Sequence, residues 1–164
     1  RVVTTIDAPG DRVFDLVRST DLHVESSAST GERIVAGVVN GLLELGDELT
    51  FEGRHLGVRQ RLTARVTEFD RPRVFHDVML KGAFKSLEHR HFFESIDGDT
   101  ATRMRDELRF EAPLVLLGSI AERLVIGPPL RRFLSRRNAV VKRVAEGPDW
   151  RTYVEVPRRV IAST

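Results

Sequence analysis

Two histidines one residue apart, His89 and His91, sit in a run of alternating residues, and an aspartate, Asp106, follows in the next such run. Residues of these types support three kinds of chemistry. An imidazole held in one tautomer by a carboxylate can act as general base for removing a proton beside a carbonyl. The same pair can orient the polar end of an otherwise apolar guest. Imidazole and carboxylate also ligate divalent metals, and alternate strand positions can chelate. No further ligand can be picked out from the sequence, so no metal is assigned. His89 and Asp106 are the only catalytic candidates.

The elements that must position these groups start with Phe84 to Ala112, FKSLEHRHFFESIDGDTATRMRDELRFEA. Asp97-Gly98 suits a two-residue hairpin turn, because both central positions favour positive φ. That turn puts Phe93 opposite Thr102, His91 opposite Met104, His89 opposite Asp106 and Leu87 opposite Leu108. Leu87, His89, His91 and Phe93 then share one face with Met104, Asp106, Leu108 and Phe110. The other face, Glu88, Arg90, Arg103, Arg105, Glu107, Arg109 and Glu111, is built for water. A His and an Asp on the apolar side are either a satisfied core pair or the polar lining of a ligand cavity.

A second hairpin follows from Glu48 to Thr67. With Leu56-Gly57 as its turn, Leu49, Phe51, Gly53 and His55 face Ala64, Leu62, Gln60 and Val58, and Arg54, Arg59, Arg61 and Arg65 point the other way. Gly53 and Ala64 are small enough to leave room on the inner face. Val74 to Leu80 is a strand with two inward sets: a two-residue turn at Lys81-Gly82 buries His76 and Val78, whereas a three-residue turn buries Phe75, Asp77 and Met79. The second set is favoured and adds Asp77 to the polar group.

Arg1 to Ile6 reads as a first strand. Asp7-Ala8-Pro9-Gly10 opens a helix with Val13, Phe14, Leu16 and Val17 as its buried stripe, and Ser19-Thr20-Asp21 caps a short second helix through Ser26. Residues 29 to 39 form a less regular strand. The segment NGLLELGD, Asn40 to Asp47, places three leucines between two glycines, either in contact with a pocket mouth as a gate, a partner or a membrane or tucked onto the core. After Pro113 the period changes to that of a helix, with Ile120, Leu124, Leu130, Leu134, Val141 and Val144 as its stripe. Gly127-Pro128-Pro129 implies a kink, or a short helix followed by a longer one from Pro129 to Glu146. Arg131, Arg132, Arg136, Arg137, Lys142 and Arg143 read as a solvated face, with anionic lipid or phosphate binding as the alternative. Beyond Gly147-Pro148 the tail lacks packing signals, which suggests disorder or pairing with a partner.

A chain of 164 residues fits one domain. With no cysteine, disulfides and thiolate sites are excluded, and a reducing cytoplasm fits. No apolar run reaches the roughly 20 residues of a membrane span. Arg1 opens a strand-like segment rather than a signal sequence. Twenty-three of the 26 basic residues are Arg, yet 24 acidic residues leave a net charge of +2, and no nucleic-acid partner is expected. One strand, two short helices, six strands and a long helix make an α+β fold, an antiparallel sheet with the helix across it.

This order, with IDAPGDRVFDLV, GLLELGDELTFEGRHLG, FKSLEHRHFFE and RNAVVKRVAE, resembles the START-like SRPBCC superfamily, which includes polyketide cyclase/dehydrase and lipid-transport-like proteins. The resemblance covers residues 1 to 146 and leaves 147 to 164 as a C-terminal tail. It implies a helix-grip fold, in which a curved antiparallel sheet of about seven strands wraps around a long C-terminal helix over a hydrophobic cavity. His89, His91 and Asp106 then become ligand contacts. Leu49, Phe51, Leu62, Phe75, Met79, Met104, Leu108 and Phe110 form the apolar wall, with Leu124, Leu130 and Leu134 from the helix and Gln60 and Asp77 as further polar contacts. The expected activity is binding of a small hydrophobic or amphipathic molecule, such as a lipid or polyketide-like compound, without a cofactor. The alternatives are a cyclase or dehydratase using His89 and Asp106, and a ligand-sensing regulatory protein acting through the basic helix or tail, with peripheral membrane contact included.

Overall fold

The computed structural model describes residues 1–55, 58–111 and 127–162. The chain runs β1 (Val2–Ile6), α1 (Gly10–Val17), α2 (Thr20–Ser26), β2 (Arg33–Asn40), β3 (Glu48–His55), β4 (Val58–Asp70), β5 (Val74–Lys81), β6 (Ser86–Ile96), β7 (Ala101–Glu111), α3 (Gly127–Glu146), α4 (Arg151–Val154) and β8 (Arg159–Ile161). The strands form one antiparallel sheet in the order β1-β7-β6-β5-β4-β3-β2-β8. The architecture is the expected α+β helix-grip, with an eighth strand added at one edge. Among the described residues no helix is long and apolar enough to cross a membrane.

Local chemistry accounts for most boundaries. Pro9 caps α1, whose first turn carries Asp11 and whose apolar side buries Val13, Phe14, Leu16 and Val17. Ser19 caps α2 by accepting the Leu22 N–H at 3.2 Å. Phe14 anchors the core, its ring edge-on to Phe69, Phe75 and Phe93 at centroid distances of 5.2, 6.2 and 5.2 Å. Register shifts in β2 and β4 mark bulges, which bend strands. In β2, Gly37 has φ +79°, and a Cβ there would fall 2.0 Å from the Glu48 carbonyl oxygen. On the outer face of the sheet the arginines are neutralised locally: Glu52 accepts from Arg33, Arg59 and Arg61, which pull its carboxyl down to about 2.

The β3–β4 register agrees with the sequence reading pair for pair, from Leu49 with Ala64 to His55 with Val58; its turn at Leu56-Gly57 lies outside the described residues. The β6–β7 register does not. Asp97, Gly98 and Asp99 all have positive φ and Thr100 folds back on the Asp97 carbonyl, so the loop holds four residues and every pair moves by two. His91 now faces Asp106, His89 faces Leu108, and Phe93 faces Met104. An even shift preserves which side chains share a face. In β5, Phe75 pairs with His91 and Asp77 with His89, which settles the inward set in favour of Phe75, Asp77 and Met79. His76 lies on the other face, buried there beside Thr67, Arg90, Glu68 and Glu88.

The last helix follows the reading of a helix from about Pro129 to Glu146, while the loop and the tail differ from expectation. Leu43 joins the core whereas Leu45 is 63% exposed, so the leucine loop divides its side chains between the two readings. From Gly127, α3 continues to Glu146, with Pro128 and Pro129 in its first turn, where a missing N–H costs nothing. Ile120 and Leu124 precede it, outside the described residues. The tail carries a 3-10 turn at Pro148–Trp150, then α4 and β8, and β8 pairs with β2. α3 is tied to β1 and α1 through Lys142 Nζ to the Thr5 carbonyl at 2.7 Å and Arg12 to the Ala145 carbonyl at 3.0 Å.

Candidate functional site

The inner face of β3–β7 and the buried side of α3 enclose polar groups that no surface role explains. Asp106, on β7, is fully buried at 0% exposure. Its Oδ1 touches Nδ1 of His91 and lies 3.3 Å from Nε2 of His89, and its Oδ2 accepts from Nδ2 of Asn138 on α3. Asn138 also reaches Thr4 Oγ1 at 3.2 Å, so one side chain joins β1, β7 and the helix. The two imidazoles pack with ring centroids 3.9 Å apart.

Electrostatics sets the charge of Asp106 and His91. Burial opposes the charge of Asp106, but the imidazoles of His91 and His89 hold its carboxyl well below the ordinary carboxylate range. Burial, with the neighbouring His89 adding to it, pushes His91 down to about 4. Both shifts fit one state at neutral pH: Asp106 is an anion and His91 a neutral ring carrying its proton on the Nδ1 that faces it. Neither ring nitrogen of His91 makes an aligned hydrogen bond among the described residues, although Nδ1 and Asp106 Oδ1 are in contact.

Beside the cluster lies a cavity of about 130 Å³. Its apolar wall comprises Phe51, Leu62, Phe84, Leu87, Leu108, Leu130, Phe133 and Leu134; Gln60, Asp77, His89, His23, Glu32 and Arg137 supply polar groups. A smaller space of about 50 Å³ continues inward past Phe51, Asp77, His89 and Arg137 to Leu49 and Phe75. An outer cleft of about 450 Å³ shares Leu108, Leu130 and Leu134 with the main cavity and adds Phe110 and Arg131. His23 bonds Glu32 at 2.5 Å and stacks on Phe51 at 4.5 Å; burial, then Arg137, lowers its affinity for a proton despite Glu32.

Most sequence-selected residues therefore line one of three neighbouring spaces that share lining residues: Leu49, Phe51, Gln60, Leu62, Phe75, Asp77, His89, Leu108, Phe110, Leu130 and Leu134. His91 and Asp106 stand behind that wall, Met104 packs in the core, Met79 lies over Gly82, and Leu124 is outside the described residues. The space expected at Gly53 is partly taken by Glu32, whose Cα would sit 3.2 Å from a Cβ there. Arg137 and Asn138 correct the reading of α3. They are buried together with Leu134 and Val141, one turn either side, so helical spacing alone places them on the inner face. His23 and Glu32 gave no comparable signal, because α2 and the turn before β2 meet only in the folded chain.

Neither a protein-family model nor a curated protein matches the sequence. Solved structures do match in shape. The aromatase/cyclase Zhui from Streptomyces sp. R1128 aligns with TM-score 0.70 at 15% identity over 88% of this chain and 91% of its own. TTHA0849 from Thermus thermophilus aligns with TM-score 0.69 at 16% identity over 87% and 92%. A START superfamily protein from Mycobacterium smegmatis gives 0.65 at 13% over 87% and 96%. The chain has the START-like SRPBCC fold.

Proposed function

We propose that this protein binds a small hydrophobic or amphipathic molecule, lipid-like or polyketide-like, between its sheet and α3. The observation that carries the reading is Arg137: it is 7% exposed, it faces the apolar cavity, and no carboxylate of the described residues forms an ion pair with it. A guanidinium held this way is costly unless a guest's polar group meets it. The inner cavity of about 130 Å³ accepts a ring or short chain segment, and the outer cleft of about 450 Å³ beside it shares Leu108, Leu130 and Leu134 with its wall. A polar head would sit among Arg137, His89 and Asp77, with its apolar body against Leu108, Leu130 and Leu134. Native mass spectrometry of freshly purified protein tests this: a stoichiometric small-molecule adduct, weakened by Arg137→Met, is the expected result. A clean apo mass together with no uptake from a panel of fatty acids and aromatic polyketides would overturn it.

A cyclase or dehydratase reading has one specific support. His89 lines the cavity while Asp106 stands behind it at 3.3 Å, the order a base and its orienting group require. Turnover abolished in His89→Gln with guest binding retained would establish catalysis, and unchanged turnover would remove it.

A further inference from the structure

The interior concentrates groups that ligate metals. Asp77 lines the cavity with Arg137, Asp106 is fully buried behind its wall against His91 and His89, and the guanidinium of Arg61 at the cavity edge is engaged by Glu52 at 2.8 Å. Carboxylates drawn out of water favour a cation beside them. Within this region one ring nitrogen of His89, one of His91 and a carboxylate oxygen of Asp77 lie within 4.8 Å of one another. All three come from adjacent strands, with Asp77 directly across from His89.

We propose that His89, His91 and Asp77 form a binding site for a divalent transition-metal ion of the zinc type, with Asp106 as its outer support. Two further observations point there. Neither ring nitrogen of the fully buried His91 makes an aligned hydrogen bond among the described residues, so its lone pair is available. Its Nδ1 lies against Asp106, itself fixed by Asn138; a carboxylate behind a ligating imidazole sets the tautomer and raises the donor strength of the ring. Two imidazoles with one carboxylate favour zinc, cobalt or iron over calcium and magnesium, which prefer all-oxygen shells. A coordination shell at about 2.0–2.1 Å needs donor atoms about 3 to 3.5 Å apart, so small side-chain rotations close the shell. Three protein ligands leave a position open toward the cavity, where Asp77 and His89 form part of the wall.

The site is independent of whether an apolar guest binds, and it is tested with the metal alone. Chelator-stripped protein is titrated with Zn²⁺ by calorimetry and with Co²⁺ by visible absorption. One equivalent should bind, with cobalt bands typical of mixed nitrogen and oxygen ligation. Affinity should fall at least about 10-fold in Asp77→Asn and in His89→Gln, and stay unchanged in His76→Gln on the opposite face. Absence of stoichiometric binding would overturn the assignment. So would binding that both cavity variants retain, or that His76→Gln abolishes.

Discussion

Replacing Asp106 by Asn probes the centre of the fold with almost no change in shape. The wild-type carboxylate receives Asn138 Nδ2 from α3 and faces His91 Nδ1 and His89 Nε2 from β6, all out of water. Breaking such a buried charged network costs about 3–5 kcal/mol. The new amide keeps one accepting oxygen, and a neutral His91 can change tautomer to accept from its NH₂, which returns about 1 kcal/mol. The net loss should be about 3 kcal/mol, or about 6–12 °C in Tm for a chain of this length. Urea unfolding monitored by Trp fluorescence measures it. Asn138→Asp should also destabilise, because it sets two carboxylates against each other, but the double exchange Asp106→Asn with Asn138→Asp restores one anion and one amide in the same space. A coupling of at least about 1.5 kcal/mol is expected from that cycle. A single-variant loss below about 1 kcal/mol, or strict additivity in the double variant, would refute the view that this network joins helix to sheet.

Other consequences are as direct. Gly37→Ala should cost about 3 kcal/mol or more, read as a fall in urea midpoint, since the added Cβ meets the Glu48 carbonyl at 2.0 Å with the backbone at φ +79°. Met104→Ala should cost about 3–5 kcal/mol and Leu134→Ala about 2–3, because Met104 is packed on all sides while Leu134 already borders empty space; equal losses would count against the cavity. His23 binds its proton less readily in the folded protein than in the unfolded chain, mainly through burial. Its contribution is therefore complete above about pH 6.5 and declines as the pH falls below that value. NMR titration should show the His23 ring still neutral at a pH where an exposed histidine is protonated.

How much of this was legible in the sequence depends on which features tolerate error. Strand faces do: the Asp97–Thr100 loop is two residues longer than the Asp97-Gly98 turn suggests, yet His89, His91 and Asp106 still share the inner face, because the side-chain period is two. Pairing does not, so the direct neighbour of Asp106 is His91 rather than His89. On α3 the spacing of Leu134 and Val141 already encloses Arg137 and Asn138, and only the chemistry of an arginine argued for water. The tail gave little warning, as β8 has three exposed residues and is held by the free edge of β2 rather than by any apolar stripe of its own.

That edge pairing bears on how the proposed guest would exchange. Arg158, just before β8, pairs with Asp47 across 111 positions of sequence, and a Cβ at Gly41 would lie 2.9 Å from the Arg158 Cα. The loop from residue 40 to 47 is further fastened by the Gly41 N–H to Asp21 at 2.8 Å and the Gly46 N–H to the Val66 carbonyl at 2.9 Å. Gly41 therefore serves close packing rather than hinging, and the leucine loop cannot swing outward without detaching the tail. For the proposed guest, the cleft lined by Leu108, Phe110 and Leu130 is an opening that would allow exchange without detaching the tail.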